Sequence, residues 1–284
     1  MAIVIKTNME SLIVQKNLTT ATKSLDTAIE RMTTGYKINH ASDNAAGFSI
    51  SESWQTKLGS LDIAAQNIAM GMDMLSTAEG SYNVISSHLQ RVRDLTEQAA
   101  NGTYGSQSLI ALGKEIKARL EEIDRISAST EYNGIALMTD DASSIPLQVG
   151  ITSDTAVSQI TLQSSLFAKA TTTALFTGDD TLAQIAEKCS TTASAPAMLA
   201  AIDEAINNIS ARMTDIGATQ NRLSSAEESN YTQTQNLTSS LSTLRDADVA
   251  KESSNYIQAQ ILQQASATLL ATANQAPSIA LNLI

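Results

Sequence analysis

Aromatic side chains make up 4% of this 284-residue chain, and it contains 3 prolines, 1 cysteine and 2 histidines. So few large rings leave little apolar area per residue, and no thick globular core is expected. Long, thin helical packing suits this composition better than a sphere. The one cysteine, Cys189, excludes an internal disulfide framework. It reads as a tolerated small residue in a variable loop, because a reactive thiol wants a basic neighbour with histidine nearby. Lys188 is adjacent, but His40 and His88 lie far away in sequence and belong to no HExxH pair. No EF-hand spacing, P-loop, GxGxxG or GxSxG elbow occurs. The pairs Glu121-Glu122 and Glu227-Glu228 read as solvated helix faces. No catalytic, metal or cofactor residue can be nominated, so an enzyme is not expected. The net charge of −11 leaves no basic stripe for nucleic acid and disfavours an anionic membrane surface. The longest apolar stretches are broken by Gln, Ser or Thr, so no membrane insertion is expected. The start, Met1-Ala2-Ile3-Val4-Ile5-Lys6-Thr7-Asn8, lacks the basic, apolar and cleavage regions of a secretory signal.

What the chain has instead is a seven-residue repeat at both ends of its length. Trp54, Leu61, Ile68, Leu75, Tyr82 and Leu89 recur at that step. So do Ile202, Ile209, Ile216, Leu223, Leu237 and Leu244, with Asn230 alone breaking the series. A strict heptad buries a narrow seam against another helix rather than a wide face against a globular core. Such a chain advertises packing along its length, within one molecule and between molecules.

The spacing predicts a first helix through Leu18, Ala21, Leu25, Ala28 and Met32, stopped at Thr34-Gly35. A second, entered at Ser42-Asp43-Asn44, runs from about Asn44 to Ala99, roughly 80 Å at 1.5 Å per residue. Its seam makes two successive three-residue steps at Met72, Leu75 and Ala78, which predicts a locally overwound stammer. Asn101-Gly102-Thr103-Tyr104-Gly105 ends it, and a third helix follows through Leu109, Leu112, Ile116, Leu120 and Ile123. Asn133-Gly134 is a turn signal. Short β-like pieces follow at Ile135–Met138, Ile145–Val149 and Val157–Leu162. Residues 164–197 are rich in Thr, Ala and Ser, with a short helix near Leu182–Lys188. Helix resumes after Pro196 to about Asp246, and a last helix covers Val249 to Asn274, ended by Pro277. All three prolines thus fall outside helices. The expected fold is mainly α: a long antiparallel coiled-coil bundle with a small β-hairpin region, the middle projecting outward.

Within the segment Gln90–Gln98, Leu89 and Val92 lie in the seam while Arg91 and Asp94 should point away from it. An (i, i+3) ion pair Arg91–Asp94 is its simplest reading.

Several longer motifs then resemble bacterial flagellin. Met32-Thr33-Thr34-Gly35-Tyr36-Lys37-Ile38-Asn39 and Ala41-Ser42-Asp43-Asn44-Ala45-Ala46-Gly47 are similar to that family's N-terminal signature. Gln90-Arg91-Val92-Arg93-Asp94-Leu95, Glu122-Ile123-Asp124-Arg125-Ile126 and Tyr132-Asn133-Gly134 match its following blocks. Ala259-Gln260-Ile261-Leu262-Gln263-Gln264-Ala265 and Ala273-Asn274-Gln275 resemble its C-terminal signature. The resemblance covers about residues 1–165 and 197–284. Cys189 and the final Leu283-Ile284, without a terminal arginine, are departures.

The resemblance implies a structural subunit of the flagellar filament, self-assembling for motility and located outside the cell without a cleavable signal peptide. It implies an inner terminal domain from residues 1–43 and 245–284. Its assembly helices would present Leu18, Leu25, Met32, Ile257, Ile261, Leu262 and Leu269. A helical rod domain would comprise 44–165 and 197–244, with its hairpin at about 135–163 and a short insert at 166–196. Implied partners are other copies of the chain, an export chaperone, the filament cap and hook-junction proteins. The animal Toll-like receptor for flagellin is also implied, through a surface that doubles as subunit packing: Leu89, Gln90, Arg91, Arg93, Leu95, Gln98 and Glu115. A hook–filament junction protein remains the alternative, although such relatives usually read Pro-Ser-Asp-Asp-Pro where this chain has Ala41-Ser42-Asp43-Asn44-Ala45. A non-assembling coiled-coil scaffold is the other.

Overall fold

The computed structural model describes residues 7–139, 143–176 and 181–281, with residues 276–281 described by their main chain alone. The fold is mainly α. Helices α1 (Met9–Thr34), α2 (Ala45–Ala100) and α3 (Ser106–Ser129) come first, then strands β1 (Glu131–Tyr132), β2 (Ile135–Ala136) and β3 (Ile145–Gln148). A one-turn helix α4 (Thr155–Ser158) precedes β4 (Gln159–Leu162) and a 3₁₀ turn at Ser164–Phe167. Short helices α5 (Thr172–Leu175) and α6 (Leu182–Cys189) lead into α7 (Ala195–Arg245) and α8 (Val249–Leu281). The chain forms two compact units, one from residues 1–58 with 234–284 and one from 59–233.

Local chemistry sets the helix ends. Gly35 closes α1 in the left-handed conformation (φ 76°), its N–H donating to the Arg31 carbonyl. Asn44 caps α2 by accepting from the Gly47 N–H at 2.9 Å. Asn133 and Gly134, at φ 49° and 78°, make the tight turn between β1 and β2. Two prolines do not lie where expected. Pro196 stands in the first turn of α7, where its missing N–H would have had no helical partner. Pro277 does not end α8, which continues to Leu281. A proline there leaves the carbonyl four residues earlier without its helical donor. That carbonyl, of Ala273, accepts from Asn8 Nδ2 at 2.7 Å.

In the 59–233 unit, α2 buries a row at 61, 64, 68, 71, 75, 78, 82, 85, 89, 92, 96 and 99, flanked by buried Met74 and Leu95. Those steps alternate three and four without a break, so the stammer expected at Met72 does not occur. Gly71 takes the seam position and Met72 is only half-buried. A Cβ on Gly71 would collide with Leu147 Cδ1, so the glycine lets β3 lie close on the helix. On α7, Ile202, Ile209, Ile216 and Leu223 are fully buried. The two helices run antiparallel: Arg93 meets Asp203, Glu79 meets Gln220, and Asn230 donates to the Leu61 carbonyl at 3.0 Å. Buried Asn230 is thus satisfied, and the polar break in the heptad is a specific contact.

Strands β3 and β4 pair antiparallel from Ile145–Leu162 to Gln148–Gln159, and β1 pairs with β2. The segment after β4 does not project away from the bundle. Leu166, Phe167, Ala170, Leu175, Phe176, Ile185, Ala186 and Cys189 are buried in the same core as α2, α3 and α7. Its apolar residues are few and widely spaced, which hid a folded segment inside a low-complexity stretch. Cys189 belongs to that core, at the end of α6, and not to a loop.

Candidate subunit-packing site

The last turns of α2 and the facing turns of α3 form the first candidate surface. Gln90, Arg91, Asp94 and Gln98 are exposed, while Arg93 and Glu115 are partly so. Leu89 and Leu95 do not reach this surface; they are 0% and 1% exposed and brace it from below. Arg91 pairs across helices with Glu115 instead of with Asp94, its Nε and Nη2 lying 3.0 and 2.9 Å from one carboxylate oxygen. A fork of two donors on one acceptor fixes the side chain's direction. Arg93 points the other way, to Asp203 on α7 at 2.6 Å and to Glu97 at 3.4 Å. One surface arginine therefore ties α2 to α3, and the next but one ties it to α7. Burial, helped by the Arg119 charge and opposed by Glu122, lowers the His88 pKa. Its Nδ1 lies 3.5 Å from Arg119, which can only donate, so this nitrogen acts as the acceptor of the neutral ring.

The terminal helices form the second candidate surface. Contacts run from Asn8–Ala273 and Ser11–Asn274 through Thr22–Gln263 to Arg31–Glu252, so α1 and α8 are antiparallel. Their facing residues are small or polar: Ala21, Ala28, Ala259 and Ser266 are buried, and Leu18 and Leu25 are half-buried. A groove of about 830 Å³ runs between the two helices. Large apolar residues nevertheless stay exposed, with Leu262 and Leu269 at the rim of that groove. Ile257, Ile261, Leu262 and Leu269 are 51–60% exposed, and Met32 is 37% exposed. Met9, Leu12, Ile13 and Ile29 lengthen that apolar surface on α1. An ordinary amphipathic pair would bury these residues; this pair turns them out.

Two linkers join the terminal pair to the following helix ends, and they are bonded to each other. Lys37 N donates to the Arg245 carbonyl at 2.7 Å, and Ala247 N donates to the Gly35 carbonyl at 2.8 Å. The Arg245 guanidinium lies over the Tyr36 ring, 4.6 Å from its centre, and reaches Gln55 at 3.0 Å. In the first linker Asp43 Oδ2 accepts from His40 N at 3.0 Å and Asn39 N at 3.1 Å. These N–H groups, His40's foremost, hold the Asp43 carboxyl below its ordinary 3.8. A depressed folded-state pKa adds stability that is complete above 3.8 and vanishes as pH falls through the lowered value. Amide exchange at Asn39 and His40, relative to the intrinsic rate, should therefore accelerate at acid pH. In Asp43→Asn that acid dependence should be absent, and its persistence would assign it to another group.

Sequence reasoning missed a third set: Tyr82, Asp124, Ser127 and Arg212. Arg212 offered the one available signal. It stands in the seam row of Ala205, Thr219 and Ala226, where an unpaired charge would be costly. The reason for it is a set of carbonyls, since Nη1 donates to Ala168 O at 2.9 Å and Lys169 O at 3.1 Å. Tyr82 is fully buried with its hydroxyl between the carbonyls of Leu166 and Ala168, 3.1 and 3.0 Å away. Burial raises its pKa, and Arg212 partly opposes the shift. Among the described residues no His, Cys, Asp and Glu side chains group as a metal site, and no helix is long and apolar enough to cross a membrane.

Antiparallel terminal helices that leave large apolar residues exposed, in a chain whose other unit is seamed by heptads, define a protein built to pack against others. Comparison with known proteins makes this specific. Residues 5–143 match the model of the bacterial flagellin N-terminal helical region, and residues 199–284 match that of the C-terminal helical region. A flagellin of Halalkalibacterium halodurans is 33% identical over 281 residues, covering 99% of both chains. A flagellin of Listeria monocytogenes is also 33% identical over 283 residues, again at 99% of each. Polar flagellin F of Vibrio parahaemolyticus is 28% identical over the whole of both chains. Among solved structures, a putative flagellar hook-associated protein from Vibrio parahaemolyticus shares the fold at 18% identity and a TM-score of 0.61, covering 72% of this chain and all of that one. The chain belongs to the bacterial flagellin family. It is a structural subunit of the extracellular flagellar filament and not an enzyme.

Proposed function

We propose that the chain polymerises through the outward apolar faces of α1 and α8, which stack with those of neighbouring copies into a helical tube. The observation that carries this reading is the exposure of Ile257, Ile261, Leu262 and Leu269 beside an intrachain interface made largely of small residues. Residues 1–43 and 245–284 form the tube in this reading, residues 44–165 and 197–244 form the rod, and 166–196 is the insert. Leu18 and Leu25 hold the pair together, while Met32 and the four α8 residues face the next subunit.

Gln90, Arg91, Gln98 and Glu115 form a second contact between subunits, with Arg93, Leu89 and Leu95 fixing the shape beneath it. The preset Arg91–Glu115 fork supports this, because a side chain already held in place loses little entropy on contact. The same surface is the one offered to the animal Toll-like receptor for flagellin. An export chaperone, the filament cap and hook-junction proteins are the further partners proposed, on family grounds, with delivery by the flagellar export route.

Electron microscopy of acid-dissociated protein, returned to neutral pH with filament seeds, tests the reading. Regular tubes roughly 100–200 Å wide, a few helical domains across, are expected. Persistent monomers in the presence of seeds would overturn it and favour a hook-junction role.

A further inference from the structure

The chain holds two Asn-Gly pairs, and both are exposed: Asn101-Gly102 between α2 and α3, and Asn133-Gly134 between β1 and β2. Their chemistry is alike and their geometry is not. Asn133 and Gly134 are held at φ 49° and 78° by the hairpin, which Leu137 N closes by donating to the Thr130 carbonyl at 3.0 Å. Leu137 and Met138 just beyond are anchored in the core. The Asn101 side chain instead folds over its own following peptide. Its Oδ1 accepts from Thr103 N at 3.2 Å, two residues on, which carries Cγ toward the Gly102 nitrogen between them. Among the described residues, nothing bonds Asn101 Nδ2 or the Gly102 N–H.

We propose that Asn101 is a self-modifying site, where the Gly102 nitrogen displaces the side-chain amide and an aspartyl or isoaspartyl residue results, while Asn133 is protected by its turn. The Gly102 N–H loses its proton to solvent base, and the nitrogen attacks Cγ. Negative charge then develops on Oδ1, where the Thr103 N–H is already bonded and stabilises it as an oxyanion donor. The intermediate collapses by breaking the Cγ–Nδ2 bond, and Nδ2 leaves with a solvent proton as ammonia. A five-membered succinimide remains. Water opens it at either carbonyl, giving an aspartyl residue or an isoaspartyl one whose main chain runs through the side-chain carbon. One water is consumed, one ammonia is released, and nothing is oxidised or reduced. Glycine suits the step because it has no Cβ to shield the nitrogen or to narrow its backbone angles. In the left-handed region the following nitrogen lies nearly anti to Cβ, so Asn133 cannot close the ring until its hairpin opens. The product adds a negative charge at the C-terminal end of α2, whose last turn has no basic residue to offset it.

The test incubates full-length monomer in heavy-oxygen water at mildly alkaline pH and maps its peptides by mass. Each event places a solvent oxygen in the new carboxyl, which separates it from any earlier conversion. Asn101 should take up label at least about tenfold faster than Asn133, because a residue that must first open its turn reacts only through a minor state. Part of the Asn101 product should accept methyl groups from an isoaspartyl methyltransferase. Gly102→Ala should slow Asn101 at least about tenfold. The fold should survive that change, since a Cβ on Gly102 meets nothing within 4 Å. In urea above the unfolding transition the two sites should react at similar rates, as their dipeptides are identical. Three results overturn the proposal. Equal rates at the two sites in the folded chain would mean that the turn geometry selects neither. Slower reaction of Asn101 in the folded chain than in urea would mean that its turn protects it. An unslowed Gly102→Ala variant would mean direct hydrolysis by water, without the succinimide. Polymerisation plays no part in the measurement, so its outcome is independent of how the filament forms.

Discussion

A chain ending at Tyr256 is expected to stay monomeric under conditions that polymerise the full-length protein. Removing residues 257–284 deletes Ile257, Ile261, Leu262 and Leu269, and uncovers the Ala21 and Ala28 face of α1. Helix α1 is then left without its partner along most of its length, and an isolated helix of 26 residues with so mild an apolar face is marginal in water. The 59–233 unit has its own core, so thermal unfolding of the truncated chain should keep a cooperative helical transition. A gentler variant separates loss of the helix from loss of the interface. Ile257→Asp with Ile261→Asp leaves the inner face of α8 intact. Each isoleucine forgoes about 1.5–3 kcal/mol of burial, and about 1.4 kcal/mol is a factor of ten. The critical concentration should rise by at least about a hundredfold. Sedimentation of seeded reactions measures it. Filaments from the truncated chain, or an unchanged critical concentration in the double variant, would place assembly elsewhere on the molecule.

Tyr82→Ala is expected to cost about 3–5 kcal/mol, among the largest effects of any single side chain. The ring fills the α2 seam at 0% exposure, and its hydroxyl serves the carbonyls of Leu166 and Ala168. For a unit of this size the loss corresponds to a fall in melting temperature of roughly 6–20 °C. Tyr82→Phe keeps the ring and removes only the hydroxyl. It should cost about 1–2 kcal/mol. Calorimetry on both variants apportions the residue between packing and polar reading. Similar losses from the two would mean that the hydroxyl dominates, and a neutral Phe variant would mean that Arg212 alone satisfies the Ala168 carbonyl.

The rod helices were legible because one period governs them. Leu61 to Leu89 and Ile202 to Leu223 announce their seam by spacing, and the structure buries each of them. Legibility failed where a second element altered the rule. Met72 outranks Gly71 on any hydrophobic scale, yet Leu147 from β3 claims the space and the glycine takes the seam. Pro277 read as a stop because its cost was visible in sequence. The Asn8 amide that relieves that cost lies at the other end of the chain. Arg91 read as paired within its own helix, whereas Glu115 offers a better fork from the neighbouring one. The polar bonds from Tyr82, Asp124, Ser127 and Arg212 to the main chain of 166–172 left least trace of all. Bonds to main chain carry no residue signature, and only Arg212, a charge in an apolar row, betrayed that something polar had to face it.

A row of interchangeable aliphatic side chains is periodic, and two periodic surfaces can mesh at any multiple of their repeat. Under axial or twisting load such a pair could creep from one meshing to the next at little cost. Asn230 removes that freedom. Its amide donates to the Leu61 carbonyl, and any shift that parted the two would leave the buried amide unpaired at about 1–3 kcal/mol. One amide in the seam thus acts as a ratchet pawl. It adds a point of resistance to sliding between two otherwise smooth, repetitive helices.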